Sequence, residues 1–137
     1  MGYMTEYRDA PEYAQIGAEV INKVKELQIL SEADIRIGFL ASAKAKETHK
    51  KPVYGECKKV DELYKVFCPY DFLIIIYEEN ISHMDDAQLR ILIEHELLHV
   101  GYSEDKNGNP IYSIVPHDYG EFEQIERKYG NHWSRRK

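Results

Sequence analysis

The run Ile91-Leu92-Ile93-Glu94-His95-Glu96-Leu97-Leu98-His99-Val100-Gly101 sets two histidines and a glutamate inside an otherwise aliphatic stretch. Asp85 with Gln88 three residues later has the form of a capping box, so the spacing predicts a helix that opens there and continues through Val100, with Gly101 ending it. On such a helix Leu89, Ile93, Leu97 and Val100 pack inward, while Leu92, His95 and His99 face a cleft. Histidines four residues apart project from one face, one turn apart. Both imidazoles can then reach a single tetrahedral zinc ion at about 2.0–2.1 Å. Glu96 is rotated about 100° around the helix axis. It can reach a metal-activated water without taking a coordination position, and serve that water as general base. A buried structural role for the same residues would be an expensive way to build a core. The His-Glu-x-x-His pattern therefore reads as a metal motif.

A catalytic zinc site needs a third protein ligand and an open position for water. Downstream candidates are His117, Asp105, Asp118 and Glu121. Asp105 stands where an extended form of the motif places its third ligand, but that form needs glycine at 102, and the glycine here is Gly101. Asp118 and Glu121 are better explained as the cap and first-turn acid of a last helix, or as acceptors for a ligand histidine's distal N–H. His117 follows a turn-rich loop and is the favoured third ligand. His49, His83 and His132 read as surface residues. Tyr102, Tyr112 and Tyr119 lie near enough in sequence that one could donate to a developing oxyanion.

Working outward, Phe72-Leu73-Ile74-Ile75-Ile76-Tyr77 predicts a strand buried on both faces. Pro11 with Ile16, Val20, Val24 and Leu27 predicts a first helix of about four turns. Ile35–Phe39 alternates as a strand, Ala43–Pro52 reads as a lysine-rich loop, and Val53–Cys57 as a further strand. Val60, Leu63, Tyr64 and Phe67 share the face of a short helix stopped by Pro69. Lys106-Asn107-Gly108-Asn109-Pro110 signals a turn. Asp118 and Glu121 cap a final helix carrying Phe122, Ile125 and Tyr129, which Gly130 terminates. The order is helix, two or three strands, helix, loop, helix, an α+β arrangement.

The 137 residues suit one domain, 1–137, with its own core. The formal net charge of −6 argues against a protein built mainly to grip nucleic acid. Lys44, Lys46, Lys50, Lys51, Lys58 and Lys59 cluster, and Arg135, Arg136 and Lys137 close the sequence. These read as a solvated loop and tail before they read as a patch for an anionic partner. Cys57 and Cys68 predict no disulfide framework. With no apolar run that could span a bilayer and no signal-peptide pattern, the expected location is cytoplasmic.

His95-Glu96-Leu97-Leu98-His99 followed by Gly101, then Pro116-His117-Asp118, Phe122 and Tyr129-Gly130, together with Asp71-Phe72, resembles the family described as putative phage metallopeptidase. That family is related in plan to SprT-like zinc peptidases. The resemblance spans about residues 10 to 130, and the His-Asp pair before the terminal helix is its more specific part. It implies a minimal zincin-like fold: a small mixed sheet on the motif helix, flanked by N- and C-terminal helices, with the sheet's edge strand beside the cleft. It implies His95, His99 and His117 as ligands of one zinc ion per chain and Glu96 as the catalytic residue. The expected activity is a zinc metallopeptidase acting on a peptide or protein that pairs with the edge strand, and a phage or prophage origin. Competing readings are a zinc hydrolase of non-peptide amides, such as cell-wall fragments, and a zinc-stabilised nucleic-acid-binding module without catalysis.

Overall fold

Three isoleucines in succession, Ile74, Ile75 and Ile76, favour an extended backbone and are all buried, and the strand they form is interior to its sheet. The structure, a computed structural model, describes residues 6–117, 122–130 and 132–135. Along the chain these form β1 (Tyr7–Asp9), α1 (Pro11–Lys23), a 3-10 turn (Lys25–Leu27), α2 (Gln28–Glu32), β2 (Ile37–Ser42) and β3 (Glu47–Thr48). Then come β4 (Lys51–Pro52), β5 (Gly55–Lys59), a 3-10 helix (Glu62–Val66) and β6 (Phe72–Tyr77). The described chain closes with α3 (Asp86–Leu98), β7 (Val100–Glu104), β8 (Pro110–Ile114) and α4 (Glu123–Tyr129). The α+β class is as expected.

The main sheet runs β1-β2-β6-β5. β6 lies parallel to β2 and antiparallel to β5, so the sheet is mixed, and β5 is an edge strand. Helices α1 and α3 pack on each other; α1 also touches β2, and α3 touches β5. Phe39 from β2 fills the space left by Gly17 of α1, where a Cβ would stand 2.6 Å from the ring. The small residue thus lets the first helix lie close against the sheet. No helix among the described residues is long and apolar enough to cross a membrane.

Several boundaries differ from the expectations for physical reasons. The first helix ends at Lys23, and Val24 is extended (φ −98°, ψ 117°). That break re-aims Leu27 and Leu30 into the core, where both are buried. The expected strands 35–39 and 53–57 sit two residues later, at 37–42 and 55–59, because their register is set by pairing with β6. The segment after β5 is 3-10 rather than α-helical. Its supposed shared face is not buried: Leu63, Tyr64 and Phe67 are exposed while Val60 alone enters the core.

The largest departure concerns the end of the motif helix. It stops at Leu98, with His99 as its cap, and Val100 begins a strand. β7 and β8 form an antiparallel hairpin around the expected 106–110 turn, with Gly108 at φ +83°. Gly101 does not terminate a helix. A Cβ there would lie 2.3 Å from the Ser113 hydroxyl oxygen, so this glycine permits close approach across the hairpin. The expected Asp85–Gln88 capping box is present, with Gln88 N–H donating to Asp85 at 2.8 Å and Asp85 N–H to the Gln88 carboxamide at 3.0 Å. Gly130 (φ 78°) follows the end of α4 as expected, whereas the Asp118–Glu121 cap lies outside the described residues.

Asp71 pins the entrance to β6. Its buried carboxylate accepts from the Arg36 amide at 2.9 Å and pairs with Lys65 at 3.1 Å, tying the 3-10 helix to the sheet. Burial works against its charged form, but the Arg36 amide and the Lys65 ammonium outweigh that and hold the carboxyl below the usual carboxylate range. Asp71→Asn should therefore cost about 1.5–3 kcal/mol at neutral pH. A depressed folded-state pKa gives stability that is complete above the unfolded value, near pH 4, and lost as pH falls through the folded value. Urea midpoints for wild type and variant should accordingly differ most at neutral pH and converge in acid. A gap that stays constant into strong acid would contradict this assignment.

Candidate metal centre

Helix α3 is capped and packed on both α1 and β5, which fixes the rotation of its polar face. His95 and Glu96 are buried and His99 is half-buried. The hairpin returns the chain from the C-terminal end of this helix, so that Val115, Pro116 and His117 run back past it. The Val115 amide donates to the His99 carbonyl at 2.7 Å, and the His99 Nδ1–H donates to the Val115 carbonyl at 2.6 Å. A carbonyl can only accept, so Nδ1 carries the proton and the lone pair of the His99 ring lies on Nε2.

His117 follows two residues later and meets His95, with the two Nε2 atoms 2.7 Å apart. Nitrogens this close share either a proton or a cation. Donor atoms of His95, His99 and His117 all lie within 4.8 Å of one another. Ligand nitrogens on a tetrahedral zinc, at about 2.0–2.1 Å each, stand about 3.4 Å apart. The cluster therefore fits a divalent ion after shifts of about an ångström. Three neutral imidazoles form a donor set suited to zinc and its neighbours in the first transition series. Phe122, itself buried, sets its ring against all three, at centroid distances of 5.4, 4.9 and 5.1 Å.

Glu96 stands beside this cluster, its Oε2 3.9 Å from His95 Nε2. Opposite it is Gly55 at the start of the edge strand, where a Cβ would lie 3.2 Å from both Cγ and Oε2 of Glu96. Residue 55 thus leaves the space that the carboxylate occupies. A cavity of about 210 Å³ opens over the cluster, with Gly55, Glu56 and Cys57 on one side and Ile114 and His117 on the other. The edge strand lies beside the cleft, as the resemblance implied. Burial, and after it the Glu96 charge, push the Cys57 thiol up, which keeps it a neutral thiol in this setting. On the rim, burial opposes the charge of Glu56, but hydrogen bonds from Lys46 and the Tyr77 hydroxyl outweigh it and hold the carboxyl below its usual range.

Of the candidates for a third donor, only His117 is brought to the cluster among the described residues. Asp105 is spent on the hairpin turn, accepting from the amides of Asn107 and Asn109 at 2.8 and 2.9 Å. Asp118, Glu121 and Tyr119 lie outside the described residues. Tyr102 and Tyr112 do not line the cleft. They face each other across the hairpin, and Tyr112 packs on Phe72 beneath the Lys65 ammonium. His83 is not a bare surface residue, since it donates to the Ser134 carbonyl at 2.7 Å. Sequence reading missed Gly55, whose role depends on a contact made only in the fold. It also missed Glu94, a buried acid that takes Lys128 and Tyr129 at 2.8 Å each and so binds α4 beside the histidines.

A family model described as "Putative phage metallopeptidase" matches residues 5–136, nearly the whole chain, and the chain belongs to that family. No curated protein and no solved structure gives a significant match.

The Glu94 tether can be tested by itself. Burial and the hydrogen bond to Glu94 push the Tyr129 phenol up to about 12. Tyr129→Phe should cost about 1 kcal/mol, a modest value because the ring is more than a third exposed. A raised folded-state pKa gives stability that is complete below the unfolded value, about 10, and lost as pH rises through the folded one. The gap between wild type and variant in thermal or urea unfolding should thus hold to about pH 10 and close only toward 12. A gap that has closed by pH 9 would contradict it.

Proposed function

We propose that the chain is a zinc peptidase in which His95, His99 and His117 hold one zinc ion and Glu96 moves the protons. The observation that carries this reading is the convergence of three imidazoles from two distant segments within 4.8 Å, with a buried carboxylate beside them. Three protein donors facing a cavity match a catalytic site better than a structural one, which takes four. Bound there, zinc supplies Lewis-acid polarisation of the scissile carbonyl and lowers the pKa of the attacking water.

The remaining steps belong to the chain's own residues. Glu96, held against Gly55, takes a proton from the attacking water as general base and later delivers it to the departing amine. Val115 keeps the His99 lone pair on Nε2, so its ring is ready to coordinate without tautomer exchange. Along the cleft, β5 pairs with β6 on one side only among the described residues. Its other edge offers main-chain donors and acceptors to an extended peptide, whose scissile bond then crosses the three histidines. Lys58 and Lys59 at the end of that strand keep the edge from pairing with other sheets.

Glu96→Gln should lower peptide cleavage by about 100- to 10,000-fold while zinc content stays near one per chain. His117→Ala should lose zinc, whereas Asp105→Ala should keep it. Full turnover by Glu96→Gln would remove the proton-transfer role. Full zinc retention by His117→Ala would remove the third ligand.

A further inference from the structure

A second cavity, of about 290 Å³, opens off the same centre and shares His95, Glu96 and His117 as its floor. We propose that this cavity, walled by Pro52, Tyr54, Leu92 and Trp133, is the subsite that takes a bulky apolar side chain, preferably aromatic, next to the scissile bond. The assignment rests on the peptidase reading and adds the substrate class. The volume is at the lower limit of small-molecule pockets and suits one large side chain. Leu92 is buried, and Tyr54 and Trp133 are half-buried, so the walls present aromatic and aliphatic surface. The Trp133 ring centre is 6.3 Å from that of His95, so a side chain held there belongs to a residue adjoining the reacting carbonyl.

Both walls are held in place by dedicated bonds. Segment 132–135 has no helix or strand, yet three successive carbonyls in it are tied down. The buried Gln88 carboxamide donates to Trp133 and Arg135, each at 2.9 Å, and His83 donates to Ser134. On the facing wall, Asn80 donates to the Val53 carbonyl at 2.9 Å and the Tyr77 amide to the Tyr54 carbonyl at 3.0 Å. His83 also sets its ring edge-on to Tyr54 at 5.8 Å, so one residue links the two walls. A pocket whose walls are ordered beforehand spends little ligand affinity on ordering them.

Trp133 is the only tryptophan in the sequence, so its fluorescence reports on this cavity alone. The zinc-loaded Glu96→Gln variant would be titrated with the blocked tripeptides acetyl-Gly-Phe-Gly-amide and acetyl-Gly-Asp-Gly-amide. The phenylalanine peptide should change the emission saturably and bind at least about tenfold more tightly than the aspartate one. Adding Tyr54→Ala should erase most of that preference while the variant still folds and keeps its zinc. No emission change, or equal affinity for both peptides, would overturn the assignment. In parallel, zinc-loaded wild type acting on a peptide library should enrich bulky apolar residues at one position adjoining the cut. That enrichment should fall in Trp133→Ala and return in Trp133→Phe. Cleavage without any such enrichment overturns the subsite and leaves the peptidase reading standing. Selective phenylalanine binding with no cleavage of any peptide supports the cavity's selectivity and removes the peptidase reading instead.

Discussion

Val115 spends both its main-chain groups on one residue, giving its amide to the His99 carbonyl and its carbonyl to the His99 ring. The site depends on this pair of hydrogen bonds. They dock the end of the β7–β8 hairpin against the last turn of the motif helix, fix the tautomer of one imidazole, and place His117 two residues further on beside His95. Nothing in the helix alone could supply a third nitrogen. The hairpin does so because Gly101 lets its strands close against each other and Asp105 folds its turn. A hairpin outside the motif helix thereby decides where the third donor stands.

The same economy recurs elsewhere. Three buried polar side chains, Asp71, Gln88 and Glu94, each lash a peripheral segment to the core: the 3-10 helix, residues 132–135 and α4. Each would be costly to bury without partners, and each has them. Two of the three tethers end at the cleft, through Trp133 and through α4, whose first residue follows Phe122. The polar interior positions the site as much as it stabilises the fold.

What could be read in advance follows from this division. The capping box of α3, the buried strand β6 and the pair His95 and His99 depend on local spacing, and all were legible in order of residues. His117 was favoured from its place before a last helix, and the structure brings it to the other two. The end of α3 was misjudged because Gly101 serves equally well as a helix terminator and as a flat spot between strands, and only the partner Ser113 distinguishes them. Gly55, Glu94 and the walls at Tyr54 and Trp133 join residues tens of positions apart, and no local period marks such pairs. Val60, Leu63, Tyr64 and Phe67 suggested an apolar helical face, but the fold buries only Val60 and leaves the other three in solvent.

The central claim is that three histidines, and no other side chain, hold the metal. X-ray absorption at the zinc edge of the zinc-loaded chain tests it directly. The account predicts nitrogen and oxygen scatterers at about 2.0–2.1 Å, with the multiple-scattering signature of three imidazoles. A sulfur shell near 2.3 Å, which would bring in Cys57, or a signature of only two imidazoles, would contradict it.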